Sequence, residues 1–341
     1  MDNGQQHSIH SIRGIAFFGT KDYDRTFFDL KNRDFGYRMS YHPQRLSEKN
    51  LELLGEANVV CAFVNDDLGP RTLQGLVDRG VELLAMRCAG FNNIDLEYAR
   101  GKITLVRVPA YSPHAVAEHA LSLLMALNRR IHRAWMRTRE HNFSLEGLMG
   151  MDLHGKTFGV IGTGKIGHIF CQLLQGFQGK ILVSDPYPNP EVEKLVNTHY
   201  RSPYEIYREA DIISLHCPLT PENRHMIHRE SIAQMKTGVI LINTSRGGLI
   251  DAEALIEGLK RGPIGAAGLD VYENENDYFF QDLSNEPLAD DTLARLISFN
   301  NVILTSHQAF FTQEALERIA STTLENIRCY EEGKVLVNAI S

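Results

Sequence analysis

The sequence predicts an α/β chain built as two doubly wound parallel-sheet domains, and three observations carry that reading. Short apolar runs recur along the chain with helical or polar pieces between them. One stretch joins a strand, a glycine turn, a helix and a second strand ending in an acid. The 341 residues exceed one ordinary domain and suit two, each able to bury a core.

Residues 1–12 are polar and read as a disordered lead-in. A short apolar strand follows from Gly14 to Phe18, then a helix-like segment over Tyr23–Leu30 and a strand-like alternation over Tyr37–Tyr41. Runs at Val59–Val64, Val81–Met86 and Ile103–Val108 complete five strands, enough for a small parallel-sheet domain. Pro109 to Pro113 break the pattern, and Ser112 with Pro113 resembles a helix cap and first-turn pair. The long helix that follows, from about Ala115 to Arg137, is apolar at Ala117, Leu121, Leu124, Met125 and Leu127. Such a face suits core or subunit interface, and the interface is the favoured reading.

The second array is organised by Thr157 to Asp185. The run Phe158–Ile161 leads into Gly162-Thr163-Gly164-Lys165-Ile166-Gly167, then an apolar helix over Ile169–Leu174, then a second run, Ile181–Val183, ending at Asp185. If the unit holds a dinucleotide, Gly162 makes the tight turn, Gly164 lets the backbone approach a pyrophosphate, and Gly167 lets helix and strand pack closely. The helix N-terminus offers free N–H groups and a partial positive charge to the phosphates. Asp185, 18 residues beyond Gly167, can accept both hydroxyls of an adenosine ribose and would repel a 2′-phosphate, which predicts NAD rather than NADP. Four further strands are expected at Ile212–His216, Val239–Asn243, Ile264–Asp270 and Val302–Thr305, with helices at Ala252–Lys260 and Thr312–Glu332.

In a doubly wound sheet, ligands bind outside the carboxyl ends of the strands. Arg246, Glu275 and His307 each follow such an end. Arginine grips a carboxylate with a planar two-point fork. Histidine is the side-chain type that titrates near neutrality when unperturbed, so His307 can give a proton to a forming alkoxide and take it back. Glu275 can fix its tautomer. Together they describe interconversion of a 2-keto acid and a 2-hydroxy acid, with a nicotinamide supplying the hydride. The competing readings are structural: a surface or core histidine, a capping or ion-pair arginine, and a solvated acidic loop with Glu273 and Asp277.

Other chemistries find little support. His225 and His228 have no acidic or cysteine partners at metal-ligand spacing, and His216 beside Cys217 reads as a strand-end pair, so no metal is expected. The GxSxG motif is absent. A net charge of −7 disfavours nucleic acid and anionic membrane as partners. The basic run Arg129, Arg130, Arg133, Arg137 and Arg139 is read as a solvated or subunit-facing helix side. Five widely spaced cysteines with no CxxC pair, a polar N-terminus and no apolar run of membrane-spanning length lead to a cytoplasmic protein with reduced thiols as the expectation.

Seven motifs then carry a family resemblance: Arg87-Cys88-Ala89-Gly90-Phe91-Asn92-Asn93, Val108 to Pro113, Val160 to Gly167, His216 to Asn223, Asn243 to Gly247, Asp270 to Glu275, and His307 to Phe310. From about Gly14 onward the chain resembles the D-isomer-specific 2-hydroxyacid dehydrogenases, and within them the fermentative bacterial D-lactate branch. Asn276, where many of the family have proline after the catalytic glutamate, fits that branch.

The resemblance implies a Rossmann NAD-binding domain (111–307) inserted into a discontinuous, flavodoxin-like substrate domain (1–110 and 308–341), with the crossings near Tyr111 and His307 as hinge. It implies that Arg246 binds the substrate carboxylate and polarises its carbonyl, that Glu275 supports the histidine, and that His307 is the acid/base. Lys165, Ile166 and Asp185 would contact pyrophosphate and ribose. Cys217, Pro218, Asn223, Thr244, Ser245 and Asp270 would line the cleft towards the nicotinamide. Backbone amides at Ala89 and Gly90 would hold the substrate carboxylate, with Tyr111 and Phe310 closing the pocket. The implied activity is NAD-dependent reduction of pyruvate to D-lactate by a homodimer or homotetramer. Two alternatives stand beside it: a broader dehydrogenase of larger 2-keto acids, and an NAD-sensing corepressor of the C-terminal-binding-protein kind.

Overall fold

Runs of Val, Ile and Leu without polar alternation need cover on both faces, which parallel strands with helical crossovers provide. The computed structural model describes residues 10–340. They fall into two units, one running to Ser112 and resuming at Phe311, the other spanning Pro113–Phe310.

The first unit contains β1 (Ile15–Phe17), β2 (Met39–Tyr41), β3 (Val59–Ala62), β4 (Leu83–Met86) and β5 (Thr104–Arg107). All are parallel, in the order β2-β1-β3-β4-β5. The second unit contains β6 (Thr157–Ile161), β7 (Lys180–Ser184), β8 (Thr198–Tyr200), β9 (Ile212–Leu215), β10 (Val239–Asn243), β11 (Ile264–Leu269) and β12 (Val302–Leu304). Its order is β12-β11-β10-β9-β6-β7-β8, again all parallel. Both orders reverse at one point, between β1 and β3 and between β6 and β9, as doubly wound sheets do. Along β10 the side chains alternate, Val239 and Leu241 entering one core and Ile240 and Ile242 the other, so both faces of the larger sheet are covered.

Four expectations need correction. The lead-in is anchored from His10 onward: its N–H donates to the Glu331 carbonyl at 3.0 Å, its ring stacks on Tyr330 at 4.1 Å, and Asn58 donates to the Ser11 carbonyl at 2.8 Å. Residues 1–9 lie outside the described residues. The edge strand β8 was not expected, because Thr-His-Tyr carries no apolar run and only Thr198 is buried. The long helix is two, Pro113–Asn128 and Ile131–Arg139, broken at Arg130 in the left-handed region (φ 49°). Buried Asn128 exchanges hydrogen bonds with the Met151 backbone there, which turns the chain. Finally, of the apolar face read as interface, Ala117, Leu124 and Leu127 lie in the unit's own core with Phe170 and Leu174, and Leu121 and Met125 are half-buried at its margin.

Candidate active site

The glycine turn follows β6, where the strand order reverses. Gly162 sits at φ +100°, and a Cβ there would come within 2.5 Å of the Cys217 nitrogen, so the crossing of the two chain segments requires glycine. A Cβ on Gly167 would lie 1.9 Å from the Gly162 carbonyl, which ties the helix Lys165–Leu174 closely to its strand. Beside Gly164 the space is open for at least 4 Å, directly over that helix's N-terminus. Asp185 accepts N–H groups from Thr163 (2.6 Å) and Tyr187 (2.9 Å), so its carboxylate is held at the end of β7. Lys165 is exposed and Ile166 half-buried in the first turn of the helix.

The wall beyond β9 is equally ordered. Ser245 donates to the Cys217 carbonyl (2.5 Å), and Asn223 donates to the Pro218 carbonyl (2.7 Å). Burial pushes the Cys217 thiol up to about 11, so it is protonated and a poor nucleophile. The buried Thr244 hydroxyl has no partner among the described residues, an orphan that a bound polar ligand would satisfy. These features fit a dinucleotide.

His216, beside that wall, bonds Ser214 through Nε2 (2.8 Å), and its Nδ1 is shut off from solvent. Burial pushes its pKa down to about 3. The unfolded chain takes a proton at this position near pH 6.5 (about the ordinary value), while the folded one refuses it until about pH 3. The contribution is therefore whole above about pH 6.5 and is lost as acid carries the protein through that window. Urea unfolding at stepped pH should show His216→Gln losing less stability with acid than the wild type; equal slopes would contradict this.

Three neighbouring strands, β10, β11 and β12, bring the charged residues to one edge. His307 Nδ1 bonds the Glu275 carboxylate at 2.6 Å, and the other Glu275 oxygen accepts the Tyr272 N–H at 2.9 Å. Nε2 is left as the nitrogen for chemistry. His307 has φ +52°, in the left-handed region that few residues with a Cβ adopt, and is held there because its N–H donates to the Asp270 carbonyl at 2.7 Å. Asp270 itself is fully buried, accepting from Thr305 (2.6 Å), Gln308 (2.9 Å) and Ala309 (2.8 Å), with His119 at 3.4 Å. Burial alone would raise its pKa, but these hydrogen bonds outweigh it and hold the carboxylate below its ordinary range. Its carboxylate therefore anchors the loop that carries His307. Arg246 lies on the adjacent strand end, its guanidinium oriented by the Ser245 carbonyl at 2.7 Å. Gly247 after it packs against the Tyr272–Glu273 backbone, on the segment leading to Glu275.

In the first unit, Ala89 and Gly90 follow β4, and among the described residues their N–H groups meet no acceptor. Arg87, just before them, is buried and donates to Asp24 (3.3 Å) and the Gly19 carbonyl (3.1 Å), tying β4 to β1. Tyr111 is half-buried in this unit, and Phe310 is buried in the other. Sequence reasoning missed Phe280, whose ring lies 6.1 Å from His307, and also His119 and Thr305. Thr305 could have been found from its strand end; His119, on a distant helix, has no local signal. His225 and His228 each pair with one carboxylate, Glu273 (2.9 Å) and Glu230 (2.6 Å). Among the described residues no three such groups gather as a metal site, and no helix is long and apolar enough to cross a membrane. All five cysteines are free.

Residues 121–309 match the family model described as D-isomer specific 2-hydroxyacid dehydrogenase, NAD binding domain. A protein of Haemophilus influenzae named 2-hydroxyacid dehydrogenase homolog is 51% identical over 327 residues, 96% of this chain and 98% of its own. The D-lactate dehydrogenase of Escherichia coli is 48% identical over 327 residues, 96% of this chain and 99% of its own. The apo-structure of D-lactate dehydrogenase from Escherichia coli superposes with a TM-score of 0.89 at 46% identity, covering 96% of this chain and all of that one.

Proposed function

The chain belongs to the D-isomer-specific 2-hydroxyacid dehydrogenases, and from that premise we propose that it is an NAD-dependent D-lactate dehydrogenase that reversibly reduces pyruvate. The observation that carries the reading is the 2.6 Å His307–Glu275 pair at one strand edge with Arg246, in a unit whose glycine turn fits a dinucleotide. NADH, when bound, supplies the hydride to the keto carbon. Arg246 holds the substrate carboxylate with its fork and draws charge onto the carbonyl oxygen. His307 Nε2 gives its proton to that oxygen as the carbonyl electron pair becomes an alkoxide, and Glu275 steadies the imidazolium from the other side. The amides of Ala89 and Gly90 are assigned to the substrate carboxylate, and Tyr111 and Phe310 to its small side chain. Lys165, Ile166 and Asp185 are assigned to pyrophosphate and ribose, and Cys217, Pro218, Asn223, Thr244 and Ser245 to the nicotinamide side.

Initial rates of NADH oxidation with pyruvate, hydroxypyruvate and 2-ketoisocaproate test the substrate assignment. The highest kcat/KM should belong to pyruvate; a preference for 2-ketoisocaproate would move the assignment to larger 2-keto acids. Nothing observed supports the corepressor alternative.

We also assign the protein to the cytoplasm and to a homo-oligomer. Ile131, Trp135, Met136, Phe143, Leu145 and Met149 are all exposed, Met149 by 87%, within one 19-residue stretch. So many exposed apolar side chains in one short stretch of chain suit cover by a second copy related by a two-fold axis. Sedimentation should show Trp135→Glu shifting the wild-type oligomer towards monomer; an unchanged distribution would contradict this interface.

A further inference from the structure

Arg107 ends β5 in the first unit, one strand from the loop Cys88–Phe91 that follows β4. Its guanidinium donates to the Ala89 carbonyl at 2.8 Å and lies over the Phe91 ring, 4.8 Å from its centroid. The Cys88 thiol donates to the next carbonyl, Gly90, at 3.2 Å. Both carbonyls are thus occupied while the Ala89 and Gly90 N–H groups meet no acceptor among the described residues.

The arginine is itself held from behind. Its N–H donates to the Asn338 carbonyl (3.1 Å), its carbonyl accepts from Asn326 (2.9 Å), and Asn338 donates to Asn326 (2.8 Å). A long, flexible side chain fixed at both ends loses its rotamer freedom on folding and spends none at the moment of ligand binding.

The consequence is electronic as well as geometric. The Ala89 carbonyl and the Gly90 N–H belong to one peptide group, so a cation bonded to that oxygen draws electron density towards it and makes the N–H a stronger donor. We propose that Arg107 is a positioning residue for the substrate carboxylate, acting through the Ala89–Gly90 peptide, whose Gly90 N–H it aims and polarises without touching the substrate. The inference rests on the assignment of Ala89 and Gly90 to the substrate carboxylate.

The test compares Arg107→Met and Arg107→Lys with the wild type, reading pyruvate KM, kcat, NADH KM and, by calorimetry on NADH-saturated enzyme, the affinity for oxamate. Arg107→Met should raise pyruvate KM and weaken oxamate binding by about tenfold, the size of one charge-assisted hydrogen bond, with kcat within about twofold and NADH KM unchanged. Arg107→Lys, which keeps a cation able to reach the carbonyl, should recover most of the loss. Unchanged oxamate affinity and KM in Arg107→Met would overturn the proposal. So would equal impairment of both variants with a matching fall in Tm, since that marks a merely structural residue. A wild type that binds oxamate in an Arg107-dependent way but does not reduce pyruvate would uphold the inference and defeat the D-lactate reading.

Discussion

Pyruvate turnover by His307→Asn should fall about 10³-fold while NADH still binds with wild-type affinity. Asparagine is chosen because it tolerates the left-handed backbone that position 307 adopts, so the loop built on Asp270 can keep its shape. What it removes is the proton at Nε2. Positioned general acid catalysis is worth about 10²–10⁴ in rate, and here the alkoxide would have to wait for water. Glu275 keeps its bond from the Tyr272 N–H and does not lose both partners. Steady-state kcat, with NADH affinity from the fluorescence of the bound nucleotide, checks the result. A variant within about tenfold of wild-type kcat would remove His307 from the acid/base role.

Arg246→Lys should cost about 10²-fold in kcat/KM for pyruvate, although the charge is kept. Guanidinium presents two parallel donors to a carboxylate, and ammonium is a point charge on a mobile stem. In the native structure that fork is oriented by the Ser245 carbonyl at 2.7 Å, an arrangement lysine does not reproduce. The loss should divide between a higher KM, from the carboxylate, and a lower kcat, from the carbonyl oxygen where charge develops. A kcat/KM within about threefold of the wild type would mean that charge alone suffices and that the two-point grip is not used.

Much of this arrangement is legible in the sequence because its signals are local. Gly162, Gly164 and Gly167 are spaced by the demands of one turn, and apolar runs such as Val239–Asn243 keep both faces buried. Arg246, Glu275 and His307 could be grouped because strand ends in a parallel sheet lie on one edge. What escaped are features decided by partners far along the chain. Thr198–Tyr200 is a strand because β7 offers it an edge, not because of its own pattern. The helix break at Arg130 depends on Asn128 meeting Met151, and most of the apolar face before it lies in the unit's own core with Phe170 and Leu174. Asp270 is placed among cofactor contacts by motif alone, yet its burial and its bonds to Thr305, Gln308 and Ala309 give its carboxylate to the loop that holds His307. Arg107 follows the same strand-end logic as Arg246, applied to the smaller sheet, and only the structure shows which carbonyl it meets.

The central claim is that this chain delivers a hydride to one face of pyruvate while His307 protonates the oxygen. Incubating the purified protein with NADH and pyruvate and resolving the product on a chiral column tests that claim most directly. The account predicts NADH oxidation matched mole for mole by D-lactate; L-lactate as the product, or no reduction of pyruvate at all, would contradict it.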